Sequence, residues 1–373
     1  MMSITRLREK ATELFGNDFE PFEDTDPFNG NRILRGFSCR ASTNLYGSLL
    51  ITHVDNEENV QLVYGTPKMS YPFDRAGRYT FPKARKIEVF EKIDGTNILG
   101  YTYTANGYRY LTFKTRLRAN VANSRFGPFR DMWQEILERY PAIREMNKVN
   151  RCNISYELYG NQNKHLVVYS VKLDVAVLFG ITPQGNILSP RQLDICGLPA
   201  APYFGDITKD YVWEYQSAQR KCEESLEQVE GGYTGSEGRV WYLFAMDDKV
   251  IQLKCKPETV EQIHWAAGGG LGRNVIAATC YNALENVDML TYDFVKQLLL
   301  EEFTEAQVES VKDLVIKVID EVMAEVTFKA QIIEEYRSLG MDITLDKAAV
   351  MRHFGSKYPR KEMRKIYSII TGS

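Results

Sequence analysis

The chain has 373 residues and a net charge of −3, with 44% hydrophobic and 25% charged residues. These are ordinary globular values; they exclude a disordered chain and a globally basic nucleic-acid coat, and they leave room for two or three domains. No apolar run approaches a membrane span, and Met1 to Lys10 lacks the apolar core of a signal peptide, so a soluble, cytoplasmic protein with no membrane partner is expected. Six cysteines are scattered without a C-x-x-C pair, which points to reduced core thiols rather than a zinc site or a disulfide scaffold.

In chain order, Ser3 to Phe15 reads as a short helix. Apolar and polar residues alternate from Arg35 to about Gly65, and Ser48–Val54 and Val60–Tyr64 flank the charged cluster Asp55–Asn59, so an antiparallel pair is expected there. Thr66 to Pro82 carries Pro and Gly and reads as an irregular connection. From Lys86 to Lys256 strands dominate. Ile98–Thr104 and Tyr108–Thr115 surround Asn106-Gly107, a hairpin signal because both turn residues tolerate positive φ. One helix interrupts them: Phe129, Met132, Trp133, Ile136, Leu137 and Tyr140 recur at helical spacing between Pro128 and Pro141, as a core-facing stripe. After Pro257 the character changes. Val260–Ala267, Tyr292–Leu300 and Glu301–Leu339 have helical spacing, the last with Phe303, Val308, Val311, Val315, Val318, Val322 and Val326, so a separate helical domain is expected.

Chemistry concentrates in four segments. Lys92, in Glu91-Lys92-Ile93-Asp94-Gly95-Thr96-Asn97, is either a surface lysine before an Asp-Gly turn or a nucleophile. Attack on phosphorus needs the neutral amine, so a nucleophilic Lys92 calls for a lowered pKa. In Cys152–Gly160 the period of two sets Asn153, Ser155 and Glu157 on one face of a strand; Glu157 suits a ribose hydroxyl or a metal, or a solvated edge. Glu237 is a second acid bracketed by glycines, Gly235-Ser236-Glu237-Gly238. In Val250–Pro257, Gln252, Lys254 and Lys256 share a face. Two lysines pointing the same way repel unless an anion lies between them, and a nucleotide phosphate would serve, although a solvated face fits the segment read alone.

Taken in order, Lys92-x-Asp94-Gly95-x-Asn97, Glu157-x-x-Gly160, Glu237-Gly238 and Lys254-x-Lys256 resemble motifs I, III, IV and V of the covalent nucleotidyltransferases, the ATP-dependent ligases and GTP-dependent capping enzymes. The resemblance covers roughly Lys86 to Pro257. It implies an α+β fold: an antiparallel-sheet, ATP-grasp-like nucleotidyltransferase domain over 1–257, including an N-terminal β-containing extension (1–85), followed by a mostly helical C-terminal domain over 258–373. It also implies that Lys92 takes AMP from ATP and passes it to an RNA 5′-phosphate, which a 3′-hydroxyl then attacks. By the same resemblance Lys254 and Lys256 hold the α-phosphate and join Lys92 as catalytic residues, Glu157 binds the ribose, and Glu91 and Asn97 line the nucleotide site. Glu237 holds Mg²⁺, with Mn²⁺ as an alternative ion. Phe179, in Asp174–Phe179, falls where the family stacks the base, though a core phenylalanine fits as well, and Arg116 matches a ribose or RNA-phosphate contact.

Asn97 at the end of motif I, where DNA ligases and capping enzymes usually carry arginine, and the helical tail in place of a β-rich OB domain both select an RNA ligase. The alternatives are a DNA ligase, a capping-type GMP transferase, or a ligase fold that only binds RNA. The layout is most similar to the bacteriophage tRNA-repair type, which implies tRNA ends as substrate, an end-healing kinase/phosphatase as functional partner and the host cytoplasm as its place. In that type an upstream Arg-Gly reaches the γ-phosphate; Arg35-Gly36 corresponds, and Lys68 matches a second triphosphate-binding lysine, while ordinary surface cations fit both positions. The basic run Lys357–Lys361 fits an RNA contact or a solvated helix start, and the four histidines are read as structural or exposed.

Overall fold

The computed structural model describes residues 3–371 apart from 42, 75–76, 124–126, 164, 230–231, 258–270, 301–302 and 304. The helix expected over Val260–Ala267 and the boundary at 257/258 therefore lie in or against undescribed residues. The chain forms two compact units, one of residues 1–123 with 129–266, the other of 124–128 with 267–373.

In the first unit, helix α1 (Ile4–Phe15) is capped by Ser3, whose hydroxyl accepts the Arg6 N–H. Leu7, Ala11 and Phe15, four residues apart, pack on Phe37, Cys39 and Leu50 of a four-stranded antiparallel sheet. Its strands β1 (Phe19–Asp26), β2 (Arg32–Cys39), β3 (Leu49–Val54) and β4 (Glu57–Val63) lie side by side in chain order. The expected β3–β4 pair is present with a tighter turn than Asp55–Asn59: Val54 faces Glu57, and Asp55 takes a φ of +56°. Strand β1 has no counterpart in the sequence reading. It is an edge strand, where Pro21 and four acids do not disturb the ladder.

Strand β5 (Ala84–Glu91) leads into Lys92, then the hairpin β6 (Thr96–Ala105) and β7 (Tyr108–Lys114) turns at Asn106 and Gly107, with φ of +52° and +78°. Helices α2 (Phe129–Arg139) and α3 (Ile143–Asn150) follow, then β8 (Asn153–Tyr159), β9 (Asp174–Ile181), β10 (Ile187–Leu188), β11 (Tyr203–Ile207), α4 (Tyr211–Ser225), β12 (Glu227–Val229), β13 (Gly232–Thr234), β14 (Arg239–Ala245) and β15 (Val250–Cys255). One sheet has the order β10-β9-β8-β6-β7, a second β11-β5-β14-β15, and β12 pairs with β13.

The two larger sheets meet across an apolar layer of Phe90, Val240, Tyr242 and Phe244 from one and Leu99, Ala176, Phe179 and Ile181 from the other. The stripe on α2 is core, as expected: Trp133 stands 5.2 Å from the Phe113 ring and 5.5 Å from that of Tyr156. Beyond β14 and β15, Tyr215 of α4 packs on Trp241, Phe73, Tyr79 and Phe81. Helix α4 is a second departure from expectation. Tyr211-Val-Trp-Glu-Tyr215 is rich in aromatic and β-branched residues, which favour strands, but only helical spacing puts both Tyr215 and Cys222 into the core. All six cysteines are free thiols, five of them buried.

In the second unit, α5 (Arg273–Leu284), α6 (Tyr292–Leu299) and α7 (Glu305–Ser310) precede the 28-residue α8 (Lys312–Leu339). Val315, Val318, Val322 and Val326 of α8 pack with Val275, Ile276 and Cys280 of α5. Its far end, from Ile332, packs with Val350, Phe354 and Ile366 of α9 (Lys347–Lys357) and α10 (Met363–Thr371). Lys357 of the basic run ends α9 and bonds Glu335 at 2.7 Å. No helix among the described residues is long and apolar enough to cross a membrane.

Lys114 ties the N-terminal sheet to the hairpin. Fully buried, it donates to the carbonyls of Gly47, Thr115 and Arg116 at 3.0, 2.9 and 2.7 Å. Burial, with Arg40 and Arg116 nearby, pushes its pKa down to about 7, and three carbonyl acceptors are what make a charge tenable there. Lys114→Met should cost about 3 kcal/mol in urea unfolding, because the carbonyls lose their donors. The folded protein gives up this proton near pH 7, whereas the unfolded lysine holds it to about 10.5, so wild-type stability should climb between those values. The variant should lack that climb.

Candidate active site

Strand register assembles the site at one end of the two facing sheets. Glu91, the last residue of β5, lies opposite Arg239 of β14, which lies opposite Cys255 of β15. Lys92 donates its backbone N–H to the Gly238 carbonyl at 3.0 Å. The loop 235–238 presses against β15: a Cβ on Gly238 would stand 2.3 Å from the Cys255 carbonyl oxygen, so only glycine fits, and Glu237 is held between β5 and β15.

The Glu237 carboxylate bridges two ammonium groups. Oε2 accepts Lys92 Nζ at 2.5 Å, and Oε1 faces Lys256 Nζ at 3.2 Å. The Lys92, Lys256 and Glu237 side chains are only 18%, 11% and 7% exposed. Burial alone would raise the Glu237 pKa, but Lys92 and Lys256 outweigh it and hold the carboxyl at about 2. For Lys92, burial disfavours the charge, and Glu237, Asp94 and Glu157 overcome it, so its pKa is raised. The groups around Lys92 thus raise its pKa rather than lower it. Lys92 rests as a clamped ammonium.

The rest of the Glu91–Asn97 segment is structural support. Asp94 Oδ2 accepts the N–H groups of Leu166 and Val167, each at 2.7 Å, and its own N–H donates to the Tyr169 hydroxyl at 2.8 Å, so it fastens the loop facing Lys92. A Cβ on Gly95 would stand 2.2 Å from the Leu158 carbonyl oxygen. Asn97 lies opposite Glu157 in the β6–β8 register. Its amide donates to Ser155 Oγ (2.8 Å) and the Tyr156 carbonyl (3.1 Å) and accepts from Thr66 Oγ1 (2.7 Å), which leaves little of it for a nucleotide. Glu91 accepts from the Ser236 hydroxyl and pairs with Arg239 at 3.1 Å; Arg239 in turn reaches the Gly238 carbonyl at 2.9 Å. These groups brace the Glu237 loop from behind.

Glu157, buried on β8, acts on Lys92 through charge. Lys254 is on β15, two residues before Lys256, which follows the strand, and its Nζ stands 4.3 Å from the Tyr71 ring centroid. Phe179 is in the apolar layer with Ile93 and Tyr242. Arg116 has a buried Nε without a hydrogen-bond partner among the described residues, while its carbonyl is held by Lys114. Arg35 bonds Glu23 and the Asp55 carbonyl, each at 2.6 Å, and Lys68 stands over the Tyr46 ring at 4.0 Å; none of these partners belongs to the Lys92 cluster. The structure thus joins Lys92, Glu237 and Lys256 directly. Asp94, Ser236, Arg239, Tyr71 and Tyr169 are supporting residues that the sequence reading left unassigned. The glycine-bracketed run around Glu237 was the signal closest to Ser236 and Arg239; nothing local marked Tyr71 or Tyr169.

Among the described residues no group of three or more His, Cys, Asp or Glu side chains is placed to hold a metal. Glu237, between Lys92 and Lys256, offers one carboxylate. That fits an ion such as Mg²⁺, which commonly takes one or two protein carboxylates and completes its shell with substrate phosphates and water.

No family model matches the chain, and no curated protein matches it. Several solved structures align with it at low identity. An archaeal ATP-dependent RNA ligase (form 1) aligns over 98% of this chain and 95% of its own, at 14% identity and a TM-score of 0.46. A putative ATP-dependent DNA ligase from Aquifex aeolicus aligns over 95% and 88%, at 13% identity and a TM-score of 0.44. A Naegleria gruberi RNA ligase with PPi aligns over 49% of this chain and about half (52%) of its own, at 15% identity and a TM-score of 0.35.

The clamp sets a pH response. Glu237→Gln removes the largest charge holding the Lys92 proton, so the pH at which Lys92 becomes reactive toward an amine-selective acylating reagent should fall. The midpoint, read by peptide mapping across pH 6 to 11, should stay unchanged only if Glu237 does not govern this amine.

Proposed function

We propose that the chain is an ATP-dependent RNA ligase that joins RNA 5′-phosphate and 3′-hydroxyl ends through lysyl-AMP and RNA-adenylate intermediates. One observation carries the proposal: a lysine at a strand end shares a buried carboxylate with a second lysine. The arrangement suits phosphoryl transfer, which asks a protein mainly for positioning and charge compensation. The order of motifs around it is the second support.

In this reading the α-phosphate of ATP enters beside Lys92 and Lys256. A divalent ion held by Glu237 would offset the carboxylate charge that stabilises the Lys92 proton, and that proton passes to water. The neutral amine attacks the α-phosphorus, the N–P bond forms, and the bond to the bridging oxygen breaks with pyrophosphate leaving. Lys256 and Lys254 then carry the charge that builds on the phosphate. A bound divalent ion, held by Glu237, would neutralise phosphate charge. Glu157 takes the ribose, Phe179 and Ile93 supply an apolar surface for the base, and Arg116 offers its unbonded Nε to ribose or RNA phosphate. The same Lys92 phosphoramidate passes AMP to an RNA 5′-phosphate, and a 3′-hydroxyl displaces it. RNA is favoured over DNA by Asn97 and by the helical character of the second unit. Repair of broken tRNA, next to an end-healing kinase/phosphatase, is the context the motif layout favours.

Incubation with α-labelled ATP should label the wild-type chain, and Lys92→Ala should lower labelling by roughly a hundredfold or more, as expected when a covalent nucleophile is removed. Labelling that persists in the variant would remove Lys92 from this role. ATP should exceed GTP as donor, and 5′-phosphorylated RNA should exceed DNA as acceptor; the reverse order would make the chain a capping-type or DNA-joining enzyme.

A further inference from the structure

Two adjacent aromatic residues beside the site belong to none of the roles above. Strand β11 is the edge of its sheet and pairs only with β5. Tyr203 lies opposite Phe90, but the next pair is Gly205 with Val89, so Phe204 is the extra residue of a β-bulge. Gly205 takes a φ of +131°, which a side chain would rarely allow. In a regular strand, neighbouring side chains point to opposite faces, and one of two adjacent aromatics would go inward. The bulge leaves both in solvent, Tyr203 at 41% and Phe204 at 51% exposed.

Each ring is backed by an arginine. The Arg191 guanidinium stands 4.5 Å from the Tyr203 centroid and that of Arg239 stands 3.8 Å from the Phe204 centroid. Asp206 accepts from the Tyr203 hydroxyl at 2.7 Å and from Arg191 at 3.4 Å, which fixes the first ring. Arg239 is fixed by Glu91 and the Gly238 carbonyl. The pair also stands close to the nucleophile: Glu91, next to Lys92, donates its N–H to the Pro202 carbonyl at 2.8 Å, and the Gly238 carbonyl that takes Arg239 also takes the Lys92 N–H.

Held aromatic faces backed by cations are the means by which proteins bind unpaired nucleotides without regard to sequence, through stacking and phosphate attraction. We propose that Tyr203 and Phe204 form a stacking platform for unpaired bases of the RNA end presented to Lys92. The proposal rests on the ligase reading for the identity of the strand. Single-stranded RNA is the occupant that two held, exposed rings beside Lys92 favour, because unpaired bases stack on aromatic faces whatever their sequence, Arg191 remains half-exposed toward a phosphate, and the bulge keeps this edge from pairing with another strand.

A 5′-phosphorylated oligoribonucleotide carrying 2-aminopurine near that phosphate tests the platform without ATP. The full chain should quench the probe on binding. Phe204→Leu, which keeps an apolar side chain but no ring, should bind roughly tenfold more weakly and lose the quench, as expected for one lost stack. Phe204→Trp should restore both. Equal affinity and quenching by Phe204→Leu would overturn the proposal, as would burial of this face in a dimer of the chain, seen by sedimentation, with no probe bound. The ligase reading fails by a different sign: no lysyl-AMP formed by the wild-type chain with ATP.

Discussion

The Glu237 carboxylate between Lys92 and Lys256 is the contact around which three strand ends of the first unit are gathered. Each oxygen takes one ammonium, and all three groups are largely withdrawn from water. Burying such a cluster is not a route to stability, since desolvation offsets much of the attraction, and removal of one partner leaves a buried charge uncompensated. Its value is preorganisation. A site that already holds two cations about one carboxylate is shaped for a group carrying more negative charge than the carboxylate supplies.

Much of the surrounding fold can be understood as what keeps that bridge in place. The register of β5, β14 and β15 brings three distant stretches of chain to one end of a sheet, and Gly238 lets the Glu237 loop lie against the backbone of β15. Ser236, Arg239 and Glu91 hold the loop from behind, and Asp94 secures the segment in front. Beneath lies an apolar layer, so Lys92 stands at the boundary between a dry interior and solvent. Such a boundary strengthens electrostatic interactions at the site while leaving an entry for charged substrates.

Local chemistry made part of this legible in the sequence. The Asn106-Gly107 hairpin, the Ser3-capped first helix and the stripe on α2 each carry their cause within a few residues, and the structure has each of them. Strand β1 and helix α4 do not. An acidic strand with Pro21 is acceptable only at a sheet edge, and the strand-favouring composition of Tyr211–Tyr215 gives way because the core needs Tyr215 and Cys222 on one helical face. In the site, motif spacing marked Lys92, Glu237 and Lys256, which the fold brings together. It was blind to Arg239, Ser236 and Tyr169, whose work depends on partners far away in the chain. Nor could it show that Glu237, Asp94 and Glu157 together raise the Lys92 pKa, because their sum around one amine is a property of the folded site.

The clamp must open if Lys92 is to act as a nucleophile, and a structure of the chain with a non-hydrolysable ATP analogue and Mg²⁺ reads that directly. Lys92 Nζ is expected to leave Glu237 and stand in line with the bond between the α-phosphorus and its bridging oxygen, with Lys256 on an α-phosphate oxygen. A nucleotide bound elsewhere, or Lys92 still locked on Glu237 with the triphosphate in place, would contradict the central role given to this lysine.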